Sequence, residues 1–271
     1  MQYRFTIRLT SSEEIAFDLL LFALGRNEPR VAYSRGDILP GGGRAEKSIC
    51  EFTEYADNAD AAVSAIRKGA RNVMDCVASL RNAGGIERLD FVVTIPTAAR
   101  LVLEVQTLSH LALIPAQLEC RVYDEGDPMD PHWKVEDAKS GSSTASPLTH
   151  GAVTLRFTGV DLKRDAVHFC FLNNKPAVEY YRGDVLPAGY VAEGGKCEFR
   201  VNFETIDGAS ALRNLIDQVV ANRQVILEHF MAEETDFVIS IAARGGFVID
   251  SEMLSRIALL SGRLEIRSDG G

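Results

Sequence analysis

The eight residues YSRGDILP, from Tyr33 to Pro40, return as YYRGDVLP from Tyr180 to Pro187, with six letters identical and an Ile/Val exchange at a seventh. The match extends well beyond this segment. At the same offset of 147, Cys50-Glu51-Phe52 falls on Cys197-Glu198-Phe199. At 146, Asp90-Phe91-Val92-Val93-Thr94-Ile95 falls on Asp236-Phe237-Val238-Ile239-Ser240-Ile241, and Leu118-Glu119 falls on Leu264-Glu265. Near the start, Ile7-Arg8-Leu9-Thr10 parallels Leu155-Arg156-Phe157-Thr158 at 148. Stacked repeat architectures have periods of 20–50 residues, so an offset this long and this steady reads as a whole domain written twice. The expected organisation is a first repeat over 1–123, a linker over 124–150 and a second repeat over 151–271, each copy long enough to close over its own core.

The linker composition differs sharply. DEGDPMDPHWKVEDAKSGSSTASPLTH holds three prolines, many small polar residues and six acids against two lysines. It also carries Trp133, the only tryptophan. An exposed indole leaves a large apolar area wet, so Trp133 is expected to anchor the linker between the repeats or to a partner.

Periodicity supplies the elements within each copy. Tyr3 to Leu9 alternates as a strand. Ser11-Ser12-Glu13-Glu14 fits a capping box opening a helix to about Leu24, with Gly25 as its stop. The Arg-Gly-Asp segment follows as a loop, and Lys47 to Tyr55 is the next strand. Val63, Ile66, Ala70, Val73, Val77 and Leu80 step by three and four, laying one apolar stripe along a helix. Its counterpart stripe, Leu212, Leu215, Val219 and Ile226, is interrupted at Asn222-Arg223. Asp90 to Ile95 is a strand, with Leu101 to Val105 as a second strand paired to it. A short helix over Leu108–Leu113 and a strand over Leu118–Tyr123 close the copy. The order is β-α-β-α-β-β-α-β. The fold class is α+β, with two homologous repeats, each a mixed or mostly antiparallel sheet of four or five strands with helices on one face.

Charge narrows the partners. The net charge is −9, and neither repeat is basic: 14 bases against 15 acids in the first, 13 against 17 in the second. The longest basic run is a pair such as Arg67–Lys68. Nucleic acid, which demands a concentrated basic surface, is not the expected partner. The opening MQYRFTIRLT lacks the charged stretch and apolar run of an export signal, and the longest apolar run, Leu19 to Leu24, is far short of a membrane span. Five cysteines without a C-x-x-C pair fit free thiols in a reducing cytoplasm.

The repeated turn is the main site candidate. Gly36 and Gly183 suit a positive φ, Asp37 and Asp184 suit bonding to nearby amides, and Pro40 and Pro187 stiffen the exit. All are what a fold-specifying turn requires. The alternative is a ligand cleft between repeats, where Arg35, Asp37, Arg182 and Asp184 converge on a polar or anionic group. No metal is expected, because the five histidines form no i, i+4 pair and His110 aligns with Arg256. No cofactor is expected, since no strand leads into G-x-G-x-x-G and Gly41-Gly42-Gly43 is followed by no Lys-Ser/Thr. Cys50 and Cys197 read as small core residues.

Arg35-Gly36-Asp37…Pro40, together with the closing LSHLAL…LECRVY, resembles a set of uncharacterised bacterial domains known only as a domain of unknown function. Many of those domains place an aromatic residue before the Gly-Asp turn, where this chain has Arg35 and Arg182. The resemblance spans nearly all of each half. Some domains of this type look like immunity proteins that neutralise toxins of rival cells, so it implies a non-enzymatic cytosolic protein whose partner is another protein. It carries over no catalytic residue. The alternatives are an enzyme or small-molecule sensor with a cleft between repeats, and a structural or assembly subunit.

Overall fold

A computed structural model describes residues 2–15, 29–39, 42–82, 86–123, 151–171, 175–203, 208–242 and 246–269. The linker with Trp133, the expected helix that follows Glu14, and Pro40 lie outside the described residues.

The first half supplies strands β1 (Tyr3–Ser11), β2 (Val31–Tyr33) and β3 (Ser48–Ala56), helix α1 (Ala59–Asn82), β4 (Arg88–Pro96), β5 (Arg100–Leu103), helix α2 (Val105–Ala112) and β6 (Gln117–Tyr123). The second supplies β7 (Gly151–Gly159), α3 (Arg164–Cys170), β8 (Val178–Tyr180), β9 (Gly195–Phe203), α4 (Gly208–Ala221), β10 (Glu234–Ala242), β11 (Gly246–Ile249), α5 (Ser251–Leu259) and β12 (Arg263–Asp269). After α4 the chain breaks at Asn222, where the apolar stripe was interrupted. It continues through a short helical turn, Arg223–Val225, and a π turn, Ile226–Phe230.

Two mixed six-stranded sheets result, in the orders β11-β6-β4-β1-β3-β2 and β5-β12-β10-β7-β9-β8. The orders are the same once each strand of one half is replaced by its counterpart in the other. Each sheet, however, takes one terminal strand from the opposite half. β5 leaves the first half and pairs antiparallel with β12, placing Leu103 opposite Leu264 and Arg100 opposite Arg267. β11 makes the reciprocal pairing with β6, placing Ile249 opposite Leu118. The expected pairing of β5 with β4 is therefore corrected. So is the count of four or five strands: the exchange leaves it unchanged, and the short β2 or β8, read as loop, raises it to six.

β4 cannot take β5 on either edge, because β1 and the parallel β6 already flank it. Ala98, in the left-handed region at φ 60, turns the chain out of the first sheet. Its amide donates to Ser268 Oγ of the second half, and the Ser268 amide donates to the Ala99 carbonyl.

The expectation that each copy encloses its own core fails for the same reason. Leu101 and Leu103 on β5 and Phe247 and Ile249 on β11 are all buried, within one apolar cluster that runs through both halves. Burying four such side chains contributes roughly 6–12 kcal/mol as an upper figure, comparable to the whole stability of an ordinary domain. The halves are therefore not separable units. Helices line the inner faces: α1 covers β1, β3 and β5, α4 covers β7, β9 and β11, and α2 packs against α5 where the halves meet. Ile66, Ala70 and Val73 form the buried stripe of α1. With the inner faces spent on the core, chemistry is left to the outer faces. Among the described residues, no helix is long and apolar enough to cross a membrane.

Candidate functional site on the outer sheet faces

The repeated turn folds the same way in both halves. The Asp37 amide donates to the Ser34 carbonyl, and an Asp37 carboxylate oxygen accepts the Ser34 amide at 2.7 Å. Asp184 does the same with Tyr181, at 2.8 Å. Gly36 and Gly183 sit at φ 92 and 91 with open space where a Cβ would be, so backbone conformation alone demands glycine there. Each turn opens a small hairpin. Gly36 and Asp37 bond to Ala45, and Gly183 and Asp184 bond to Ala192. Isolated bridges join Ile38 to Arg44 and Val185 to Val191.

The charged letters are used close to home. Arg35 donates to the Ser12 carbonyl, and Arg182 lies 3.4 Å from Asp161. Asp184 also accepts from Arg164 at 2.8 Å, and that guanidinium stacks over Tyr181. Pro187 is exposed on the second hairpin. The turns adjoin β2 and β8, the strands farthest from the exchanged edges of their sheets. The structure does not bring Arg35 and Asp37 together with Arg182 and Asp184.

What it does bring together is a row of charges across four strands on the outer face of each sheet. In the first, Arg8 on β1 stands directly opposite Glu51 on β3 and Asp90 on β4. Arg8 Nε donates to Glu51 Oε1 at 2.8 Å, and its Nη1 lies 3.8 Å from Glu119 on β6. Arg121 pairs with Glu119, and Arg88 pairs with Asp90. The second row repeats this with Arg156, Glu198, Asp236, Glu265 and Arg267. Arg156 donates to Glu198 at 2.7 Å, lies 3.2 Å from Glu265 and 3.6 Å from Asp236, and Arg267 pairs with Glu265. Sequence reasoning aligned nearly every member of these rows without assembling them. The usable signal was a charge of fixed sign, at the same offset, inside strands whose neighbouring residues are apolar.

The two rows differ in cover. The side chains of Arg8 and Glu51 are each 3% exposed, against 11% and 14% for Arg156 and Glu198, while Glu119 and its counterpart Glu265 are buried alike. The second row lies open in a shallow trough. At one end a groove of about 780 Å³ runs under the second hairpin, lined by Val160, Tyr190, Val191 and Lys196. It shares Thr158, Lys196 and Glu234 with a depression of about 390 Å³ over the charge row. That depression shares Arg100 and Arg263 with a third, of about 620 Å³, walled by α1 of the first half through Ser64 and Arg67. The exchanged strand thus places Arg100 of the first half in the site of the second, 2.8 Å from Glu265. Its counterpart on β11 is Gly246.

One substitution accounts for the groove under the hairpin. In the first half, Ile49 packs beneath the turn with Leu39, Ala45 and Tyr33 as a small separate cluster. The equivalent of Ile49 is Lys196, which pairs with Glu198 at 2.9 Å instead of filling the space. Leu186 is then only half-buried, where Leu39 is fully buried.

Four cysteine thiols of the described residues are shifted upward by burial. Burial, helped by adjacent Glu51, pushes the Cys50 thiol up to about 12. Burial and Glu179 push Cys197 up to about 12. Cys120 and Cys170 are also raised by burial. Thiols held this high are poor nucleophiles at neutral pH. No group of three or more His, Cys, Asp or Glu among the described residues is placed to hold a metal ion. In comparisons with known proteins, no family model, no curated protein and no solved structure matches this chain.

Proposed function

We propose that the chain is a non-enzymatic binding protein that presents the outer face of its second sheet to another protein. Its most concrete form is a bacterial immunity protein that neutralises a toxin. One observation carries the reading: of two charge rows built alike, the second is the more open, and it is flanked by apolar side chains held in water. Val185, Tyr190 and Val191 on the second hairpin are 73%, 62% and 57% exposed, and Val160 stands beside them. An amphipathic tyrosine among exposed apolar residues, bordered by ordered ion pairs, has the make-up of a protein-docking surface. The net charge of −9 would speed encounter with a basic toxin. The toxin-neutralising form rests on the resemblance of each half to small bacterial domains of that kind. The alternative cleft between the two turns draws no support from their placement at remote sheet edges.

The test is co-expression of the chain with toxins encoded beside its gene. Growth is expected to be restored by the native chain and lost with Tyr190→Asp, which puts a charge at the centre of the apolar patch. Absence of rescue and of complex formation with every neighbouring product would refute the reading.

A further inference from the structure

We infer that the cation row across the second sheet takes an extended acidic segment of a partner protein, about eight residues rich in Asp and Glu. The inference rests on the reading that this face is where the partner docks, and it names the chemistry of what docks there. The first argument is the layering of charge. The carboxylates form the floor: the side chains of Glu265, Asp236 and Glu198 are 1%, 4% and 14% exposed. The cations lie above them, Arg100 at 58% and Arg267 at 38%, with Arg200 also on the surface. A ligand entering the trough meets guanidinium groups already held in place from beneath. Arg100 and Arg267 each donate one edge to the buried Glu265 carboxylate and Arg200 donates to Asn202, and each keeps other N–H groups for the ligand, the arrangement that suits forked recognition of a carboxylate.

The second argument is shape. The trough crosses a six-stranded sheet, which spans about 24 Å at the usual strand spacing, or about eight residues of extended chain. The third is the balance of charge. Six cations line the central depression (Arg100, Arg156, Lys196, Arg200, Arg263 and Arg267), against Glu198, Glu234 and Asp236 in the lining and Glu265 beneath. An excess of two cations on a chain of net charge −9 does not make the continuous positive field a nucleic-acid strand needs. It does serve separate carboxylates, each meeting one guanidinium. This acid-binding strip complements the long-range acidity of the chain, because a basic partner presenting one acidic segment would satisfy both and a uniformly basic one would not.

The test uses the full chain and fluorescence anisotropy with a labelled peptide alternating Glu and Ser. The same-length Gln/Ser peptide and an oligothymidylate serve as comparisons. The Glu/Ser peptide is expected to bind, to weaken steeply with added salt, and to lose about tenfold in affinity in Arg200→Glu and in Arg100→Gln. Arg200 is exposed and bonds Asn202 on its own strand, so its variant is expected to fold normally by circular dichroism. Arg71→Glu, on the exposed face of α1, should bind as the native chain does. Glu/Ser binding no tighter than Gln/Ser binding, or unchanged in both trough variants, would overturn the inference. Tighter oligothymidylate binding that the same variants abolish would overturn it in favour of nucleic acid. Growth rescue that survives Arg200→Glu, with no peptide bound, overturns the inference and leaves the docking reading standing. Peptide bound with no rescue in any pairing supports the inference and removes the toxin reading.

Discussion

The outer faces of the two sheets carry matching rows of charge and differ in how far water reaches them. On the first, Arg8 and its carboxylates are sealed from water, and Ile49 closes the space beneath the hairpin. On the second, Arg156 holds the corresponding ion pairs at a surface, and Lys196 in place of Ile49 leaves the hairpin lifted over a groove. A buried ion network specifies geometry at a high desolvation cost, whereas an open one keeps its spare hydrogen-bonding capacity for a ligand. The difference separates a row sealed inside the fold from a row whose cations stand at the surface.

The strongest way to break this comparison is to remove the central arginine from each row. Arg8→Ala leaves Glu51 and Glu119 buried beside the gap and is expected to cost about 3–5 kcal/mol. Arg156→Ala should cost roughly half as much, because each carboxylate it leaves keeps another cation: Lys196 on Glu198, Arg263 on Asp236, and Arg100 and Arg267 on Glu265. Denaturant midpoints for the two variants measure this, and equal losses would show that the rows do the same work.

Next in size is the residue beneath the hairpin. Ile49→Lys forces an ammonium into a site that is 4% exposed and should cost about 2–4 kcal/mol. The reverse change, Lys196→Ile, fills the groove under Leu186. It should raise stability by up to about 1 kcal/mol while abolishing whatever binding uses the groove. A loss of stability in Lys196→Ile would mean that the groove has another cause.

The smallest effect is on pH dependence. In the second row, burial opposes ionisation of Glu198, but hydrogen bonds from Lys196 and Arg156 win, and its pKa falls below the ordinary 4.5. Its stabilisation is therefore present above that value and is lost as pH falls through the depressed folded value. In the first row, burial of Asp90 outweighs its bond to Arg88, and its pKa rises above the ordinary 3.8. The native state then holds that proton more tightly than the unfolded chain, so Asp90 adds relative stability as pH falls. Glu198→Gln should flatten the acid side of a stability-against-pH curve, and Asp90→Asn should steepen it. Steepening by Glu198→Gln, flattening by Asp90→Asn, or the same change in both variants would contradict this assignment.

Much of the architecture was legible. The alternation of β1, the stripe Ile66-Ala70-Val73 and the break at Asn222 each depend on near neighbours in the chain, and each appeared where the periodicity placed it. The turn chemistry of Gly36, Asp37, Gly183 and Asp184 was legible for the same reason, because a turn closes within four residues. The charge rows were not seen, although Arg8, Glu51, Asp90 and Glu119 all lay in aligned segments. Their meeting depends on the order β6-β4-β1-β3, which no local pattern states. Leu101-Val102-Leu103 showed itself as a strand, yet its partner β12 lies in the other half.

The sequence by itself determined the long secondary elements, the near-147-residue echo and the form of the Arg-Gly-Asp turn, since each is governed by contacts short in sequence or by direct letter matching. Only the tertiary structure decided which half completes which sheet and which of two similar charge rows meets water. Both depend on contacts between residues more than a hundred positions apart, such as Arg100 with Glu265. A strand's letters encode which face is apolar, and its neighbour is chosen by the packing of the whole chain.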